Sequence, residues 1–221
     1  MRLAVLVFPG DRDGFAAVTR LSGERALEVR SGAAQLPHCD AVVVVGDGQV
    51  AVGAERADGV NSTAMRALRL YASAGGPVLG IFGGFSLLCR AGLLPGALIA
   101  RPRGPATSVH VRIEGRPTPF TAAIPAGRVL RLCRQAAAVS FVAPDVAQLE
   151  ERGQIVFRYT DAAGGVLHDQ DACGSIAGIS NARGNVVALL PDAVAAVSPA
   201  GRDSGDARQI FVALRRHLRP A

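Results

Sequence analysis

The residues with chemical potential fall into a few groups. Phe82-Gly83-Gly84 closes the apolar run Val78 to Ile81 and opens a helical stretch from Phe85 to Ala91, with Gly92 placed to end it. A strand–turn–helix elbow of this kind lifts the side chain at its apex above the strand ends and aims backbone N–H groups at an oxyanion. A thiol at the apex would be acidified by the helix N-terminus. Here the apex is Phe82, whose ring can neither attack an amide nor hold an acyl group. Ser86 lies one helical turn further on and points away from the turn. Cys89, beside Leu87 and Leu88, has the setting of a small buried hydrophobe.

The run His168-Asp169-Gln170-Asp171-Ala172-Cys173 holds residue types suited to thiol chemistry, or to a metal held by His168, Asp169 and Asp171. A polar surface loop is the simpler reading, and no metal site is assigned. His110 alternates with Val109 and Val111 and shares a polar strand face with Arg112. His38 precedes an apolar strand, and His217 sits near the end of the last helix. The cysteines Cys39, Cys89, Cys133 and Cys173 are widely separated, with neither zinc-type spacing nor the pattern of a disulfide framework, which fits a reducing cytoplasm.

The elements that must position these groups alternate between short aliphatic runs and helical stretches, the pattern of a parallel sheet flanked by helices. Leu3 to Phe8, Leu27 to Val29, Ala41 to Val45 and Val78 to Ile81 read as strands, and the unbroken valines of the third suit a centre buried on both faces. Gly46-Asp47-Gly48 ends that third run and puts Asp47 at a strand end. Helices are expected over Gly14 to Leu21, from the Asn61-Ser62 cap to Ala74, and near Val146 to Glu151. Between Ser108 and Leu132 two strands joined by Arg116-Pro117-Thr118-Pro119 are expected to run antiparallel. Gln154 to Tyr159, Ser175 to Ile179 and Val186 to Leu190 read as further strands, and Asp206 to Leu218 as a closing helix with Ile210, Phe211, Leu214 and Leu218 on one face.

The 221 residues fit one α/β domain spanning 1–221, and 49% hydrophobic against 19% charged residues supports a buried interior. No apolar run approaches the ~20 residues of a membrane-spanning helix. The formal charge is +6, with arginine as the sole basic residue apart from histidine, yet the arginines are dispersed and lack the interleaved aromatics that stack on bases, so neither nucleic acid nor membrane is expected as a partner.

Several segments, in order along the chain, resemble one family. Phe8-Pro9-Gly10, Gly75 to Ile81 (GGPVLGI), Ala91 to Leu98 (AGLLPGAL), Gly153 to Asp161 (GQIVFRYTD), Ile176 to Asn185 (IAGISNARGN) and Leu190-Pro191 are similar to the glutaminase subunits of phosphoribosylformylglycinamidine synthase. These are class I glutamine amidotransferases acting in purine synthesis. The resemblance implies a doubly wound, mostly parallel α/β sheet flanked by helices, flavodoxin-like in outline, a synthetase-type large subunit as partner, and no cofactor. A homo-oligomer is left open.

The same resemblance locates the site and its departures. The family's elbow is Gly-Ile-Cys-Asn-Gly-Phe, matched here by Gly80 to Phe85, so Phe82 stands at the nucleophile's position. The family's Pro-His-Pro-Glu, which supplies base and orienting carboxylate, is matched by Pro191-Asp192-Ala193-Val194, with Asp192 and Val194 at those two positions. The glutamine-pocket segment is matched by Gly46 to Gly53, keeping the glycines but losing the aromatics. Gly46, Asp47, Gly48, Gly83 and Gly84 are thus the expected remnants of a binding pocket. The partner-facing Ala-His-Gly-Glu-Gly is matched by Gln135 to Val139 in position only. These departures imply a chain without glutaminase activity, retained as a binding or regulatory partner of the synthetase or its paralogue. Two other readings stay open: a cleft reused for new chemistry by Asp192, Asp47 and His168, or an assembly subunit of a synthase that uses free ammonia.

Overall fold

Valine-rich runs that alternate with helices can bury both strand faces only if helices cover the sheet on both sides. The computed structural model has that arrangement, and it describes residues 1–8, 13–46, 59–100, 107–134, 139–167, 173–193 and 206–219. In chain order the elements are β1 (Arg2–Val7), α1 (Gly14–Ser22), β2 (Arg25–Arg30), β3 (Ala41–Gly46), α2 (Thr63–Ser73), β4 (Val78–Phe82), α3 (Gly83–Arg90), β5 (Ala97–Ala100) and β6 (Thr107–Ile113). They continue with β7 (Val129–Arg134), β8 (Val139–Val142), α4 (Val146–Glu151), β9 (Ile155–Thr160), β10 (Ile176–Ser180), β11 (Val186–Leu189) and α5 (Asp206–His217).

Nine strands form one sheet in the order β2-β1-β3-β4-β11-β10-β9-β6-β7. From β2 to β11 every pairing is parallel, whereas from β11 to β7 every pairing is antiparallel. β3, β4, β10 and β11 are buried along their whole length, which is why their sequences are continuous apolar runs rather than alternating ones. α1 packs against α5, while α3 lies on β3 and β4.

Helix boundaries follow local chemistry. The Ser62 hydroxyl accepts from the Met65 N–H and starts α2, as its cap position predicts. Asp145 does the same for α4 through the Gln148 N–H. α3 ends at Arg90 with Ala91 as its C-cap, and Gly92 follows in the left-handed region at φ 72°.

The structure differs from the sequence expectation in three places. α3 starts at Gly83, two residues before Phe85, because the turn is completed within Phe82 itself. β6 and β7 are antiparallel as expected, but their connection runs from Glu114 to Arg128 and adds buried residues to the main core. There the Thr118 and Thr121 hydroxyls bond each other at 2.9 Å, and Phe120 and Ile124 are buried. The paired strands β5 and β8 form a separate two-stranded sheet that was not expected. It lies against α3, where Phe141 stacks on Phe85 with ring centroids 5.4 Å apart.

The antiparallel half curls back on the parallel half. Asp192, just past β11, donates its N–H to the Cys133 carbonyl of β7 at 2.8 Å, an isolated antiparallel bridge between segments that are far apart in the strand order. The Arg131 N–H of β7 is taken by the Asp206 carboxylate at 2.8 Å. These two bonds occupy the outer edge of β7, an edge that would otherwise offer free backbone groups to another strand.

Candidate functional site: the elbow between β4 and α3

The geometry of the elbow follows from its glycines. α3 approaches β3 so closely that a Cβ on Gly84 would lie 2.0 Å from the Val44 carbonyl oxygen, and one on Gly80 would lie 2.5 Å from Leu88 Cδ1. Only hydrogen fits at either position. With α3 that close, the chain must reverse within one residue, and Phe82 adopts φ 52°, ψ −108° to do it. For a residue bearing a Cβ this conformation costs on the order of 1–3 kcal/mol. The ring is 7% exposed and belongs to the main apolar core. Burial of that kind contributes roughly 1.5–3 kcal/mol, enough to offset the backbone strain.

Register brings the other sequence-marked positions to the same end of the sheet. Gly46 is the parallel partner of Phe82, and Leu189 of β11 is the partner of Ile81, so the chain leaves β11 toward Pro191 and Asp192 beside the elbow. Gly46, Phe82, Gly83, Gly84 and Asp192 therefore gather at the carboxyl ends of β3, β4 and β11, where open α/β sheets place their ligands. Asp47, Gly48 and Val194 lie outside the described residues, as do Gln135 and the three alanines after it.

The first N–H groups of α3, beginning with Gly83 and Gly84, have no partner within the helix and point the positive end of its dipole at this corner. Phe82 gives them no side-chain cap. Among the described residues around this corner, few side chains are reactive. Ser86 is 2% exposed within α3. Cys89 bonds the Pro95 carbonyl at 3.5 Å, and burial pushes its thiol up to about 12, so it stays protonated and inert at neutral pH. Cys133 is also raised, first by burial and then by the charge of Asp192.

The remaining sequence candidates are scattered. His110 is in mid-β6, paired with Arg131 and Thr160 across its two neighbours. His38 is exposed before β3, and His217 closes α5. Cys173 starts a single 3-10 turn ahead of β10, while His168, Asp169 and Asp171 lie outside the described residues. Among the described residues no group of three or more His, Cys, Asp or Glu side chains is placed to hold a metal ion, and no helix is long and apolar enough to cross a membrane.

Sequence reasoning missed two features near the sheet's antiparallel half. Ser175, buried just before β10, is the second non-glycine residue with positive φ among those described, at 57°. The hydroxyl of Thr160, at the end of β9, is the buried side-chain oxygen left without a partner among the described residues. Neither a serine before an apolar run nor a threonine ending one carries a signal of these properties in the sequence.

Comparison with known proteins places the fold and the family. No family profile matches the chain. It is 36% identical to the phosphoribosylformylglycinamidine synthase subunit PurQ of Nitrobacter winogradskyi over the whole of both chains. It is 37% identical to that of Rubrobacter xylanophilus over 90% of this chain and 91% of the other. Among solved structures, PurLQS from Thermotoga maritima superposes with a TM-score of 0.74 at 25% identity, covering 99% of each chain. A glutamine amidotransferase from the same organism, at 14% identity and TM-score 0.64, shares the fold. Full-length identity above a third, together with the strand order and the glycine-packed elbow, shows that the chain belongs to the PurQ family of phosphoribosylformylglycinamidine synthase subunits.

Proposed function

We propose that this chain is a non-catalytic PurQ homologue, one domain over residues 1–221, that serves as a binding or regulatory subunit of a synthetase-type protein in purine or nucleoside-related synthesis. Phe82 carries the reading: an apolar ring, 7% exposed, at the apex of an otherwise well-formed elbow. Thioester chemistry on an amide needs a nucleophile at that apex and a base within hydrogen-bond reach of it. In our reading of Pro191-Asp192-Ala193-Val194 against the family's Pro-His-Pro-Glu, Asp192 and Val194 stand where the base and its orienting carboxylate belong, and neither supplies an imidazole.

The same corner keeps what a docking role needs: close glycine contacts fix α3 against β3, and the burial of Phe82 offsets its backbone strain. The PurLQS neighbour supports a synthetase-type partner for this chain as well. Ammonia for the synthetase would then come from solution or from another protein.

The test is association without turnover. Purified chain mixed with the large synthetase subunit of its own organism should co-sediment as a complex. Intact mass after incubation with glutamine should show no covalent adduct on this chain. An adduct on any side chain would overturn the reading, and failure to associate with any synthetase-type protein would overturn its partner half.

A further inference from the structure

A second recess lies along α2, away from the elbow. α2 and residues 34–39, in the connection between β2 and β3, enclose about 420 Å³, within the ~300–1,000 Å³ usual for small-molecule pockets. Its walls are apolar: Leu36 and Pro37 on one side, Ala67 and Leu70 on the other. Leu70 is 73% exposed, far more than any other large hydrophobic side chain described. Its inner end is formed by Cys39 and Tyr71, both half-buried, and the Tyr71 ring fills the space where a Cβ on Gly76 would lie 2.2 Å away. That wall is therefore fixed before any ligand arrives.

The rim carries two bases, with the nearest carboxylate, Asp40, behind Cys39 and Tyr71 rather than in the lining. Arg66 and His38 both border the recess, no Asp or Glu lines it, and neither base has a side-chain partner among the described residues. Other arginines of the fold do find partners: Arg30, Arg112, Arg158 and Arg215 each pair with a glutamate. A lone guanidinium beside an imidazole, over a preformed apolar wall, matches a planar monoanion with a hydrophobic body.

We propose that this groove binds a small amphipathic carboxylate, its acid group on Arg66 and His38 and its apolar body against Leu36, Leu70 and Tyr71. Cys39 precedes the start of β3, while Phe82 ends the parallel strand β4, so the deep end of the groove and the elbow lie at opposite ends of the strands. Binding in the groove is therefore independent of the chemistry at the elbow.

Octanoate is a suitable probe. Titrated into the full chain and followed by amide chemical shifts, it should give saturable changes confined to α2 and residues 34–39. Neutral octanamide, of the same length, should bind several-fold more weakly. Arg66→Glu should weaken octanoate binding by at least about tenfold, a charge-assisted hydrogen bond being worth ~1.5–3 kcal/mol. Both Arg66 and Leu70 are exposed, so neither substitution opens the core; a glutamate early in α2 suits the helix dipole, and the amide spectrum of the ligand-free Leu70→Asp chain outside α2 should match that of the natural one. Leu70→Asp should abolish binding of both probes. Shifts that never saturate, that spread over the surface, or that are unchanged in Arg66→Glu would overturn the proposal.

Discussion

The two halves of the sheet are held together by different physics. The centre of the parallel half, β3, β4 and β11, is apolar and buried along its length, and α3 approaches it so closely that glycines at positions 80 and 84 touch backbone or packed side chains, its ion pairs lying at the outer edge around β2. The antiparallel half carries a partly buried ion network on adjacent strands. Glu114, just after β6, accepts from Arg112 and, at 2.8 Å, from Arg158 of β9, which also reaches Glu150 of α4. Arg112 donates further to the Gly164 carbonyl at 2.6 Å. Tolerance is therefore local. The helix–strand contact has no room for a methyl on Gly84, yet two residues earlier the apex holds a whole phenyl ring within the apolar core.

Gly84→Ala should do the most damage to the parallel half. Its methyl would sit 2.0 Å from the Val44 carbonyl oxygen, so α3 must move off β3. Overpacking against backbone costs about 3 kcal/mol or more, and urea denaturation should show a loss of that size or an unfolded chain. An alanine that leaves stability unchanged would mean α3 packs less tightly than described.

In the other half, Arg158→Met removes the shared cation from between Glu114 and Glu150. A loss of about 2 kcal/mol is expected, less than for a fully buried pair because Arg112 still partners Glu114. The network also sets a pH dependence. Burial alone would raise the Glu114 carboxyl, but hydrogen bonds from Arg112 and Arg158, reinforced by their charges, hold it below the ordinary glutamate value. A depressed folded-state value contributes stability that is present above the unfolded value, near 4.3, and is lost as pH falls through the folded one. Glu114→Gln should therefore flatten the stability profile below about pH 4.5, as followed by circular dichroism, whereas Phe82 variants should leave that slope unchanged.

A subtler effect reports on the elbow backbone. Phe82→Ala loses the buried ring but keeps the positive-φ strain. Phe82→Gly loses the ring and the strain together. Phe82→Gly should be the more stable of the two by about 1 kcal/mol, the reverse of the usual order in regular structure. An alanine variant as stable as the glycine one would show that the apex is unstrained.

Much of this was legible in the sequence. Unbroken valines from Val42 to Val45 declared a strand buried on both faces, Ser62 declared the start of α2, and Phe82-Gly83-Gly84 after an apolar run declared the elbow. What was not legible depends on contacts distant along the chain. The four-residue strands β5 and β8 are too short to show a period, and Phe141 acquires its role only by meeting Phe85. The bond from Asp192 to Cys133 exists because the antiparallel half curls, which no local pattern records. The Glu114 network joins residues from β6, β9 and α4 whose spacing in sequence has no motif. At the site itself, the residue types carried the expectation of a non-catalytic elbow, while the strain at Phe82 and the orphaned hydroxyl of Thr160 needed coordinates.

An elbow capped by a phenyl ring should be unable to use glutamine. Glutamate release from glutamine by the purified chain, alone and with its synthetase partner, for the natural protein and for Phe82→Cys, tests this directly. No release above buffer is expected in any of the four arms, because a restored thiol would still lack an imidazole base. Turnover by the natural protein, or its recovery through that one substitution, would contradict the non-catalytic assignment.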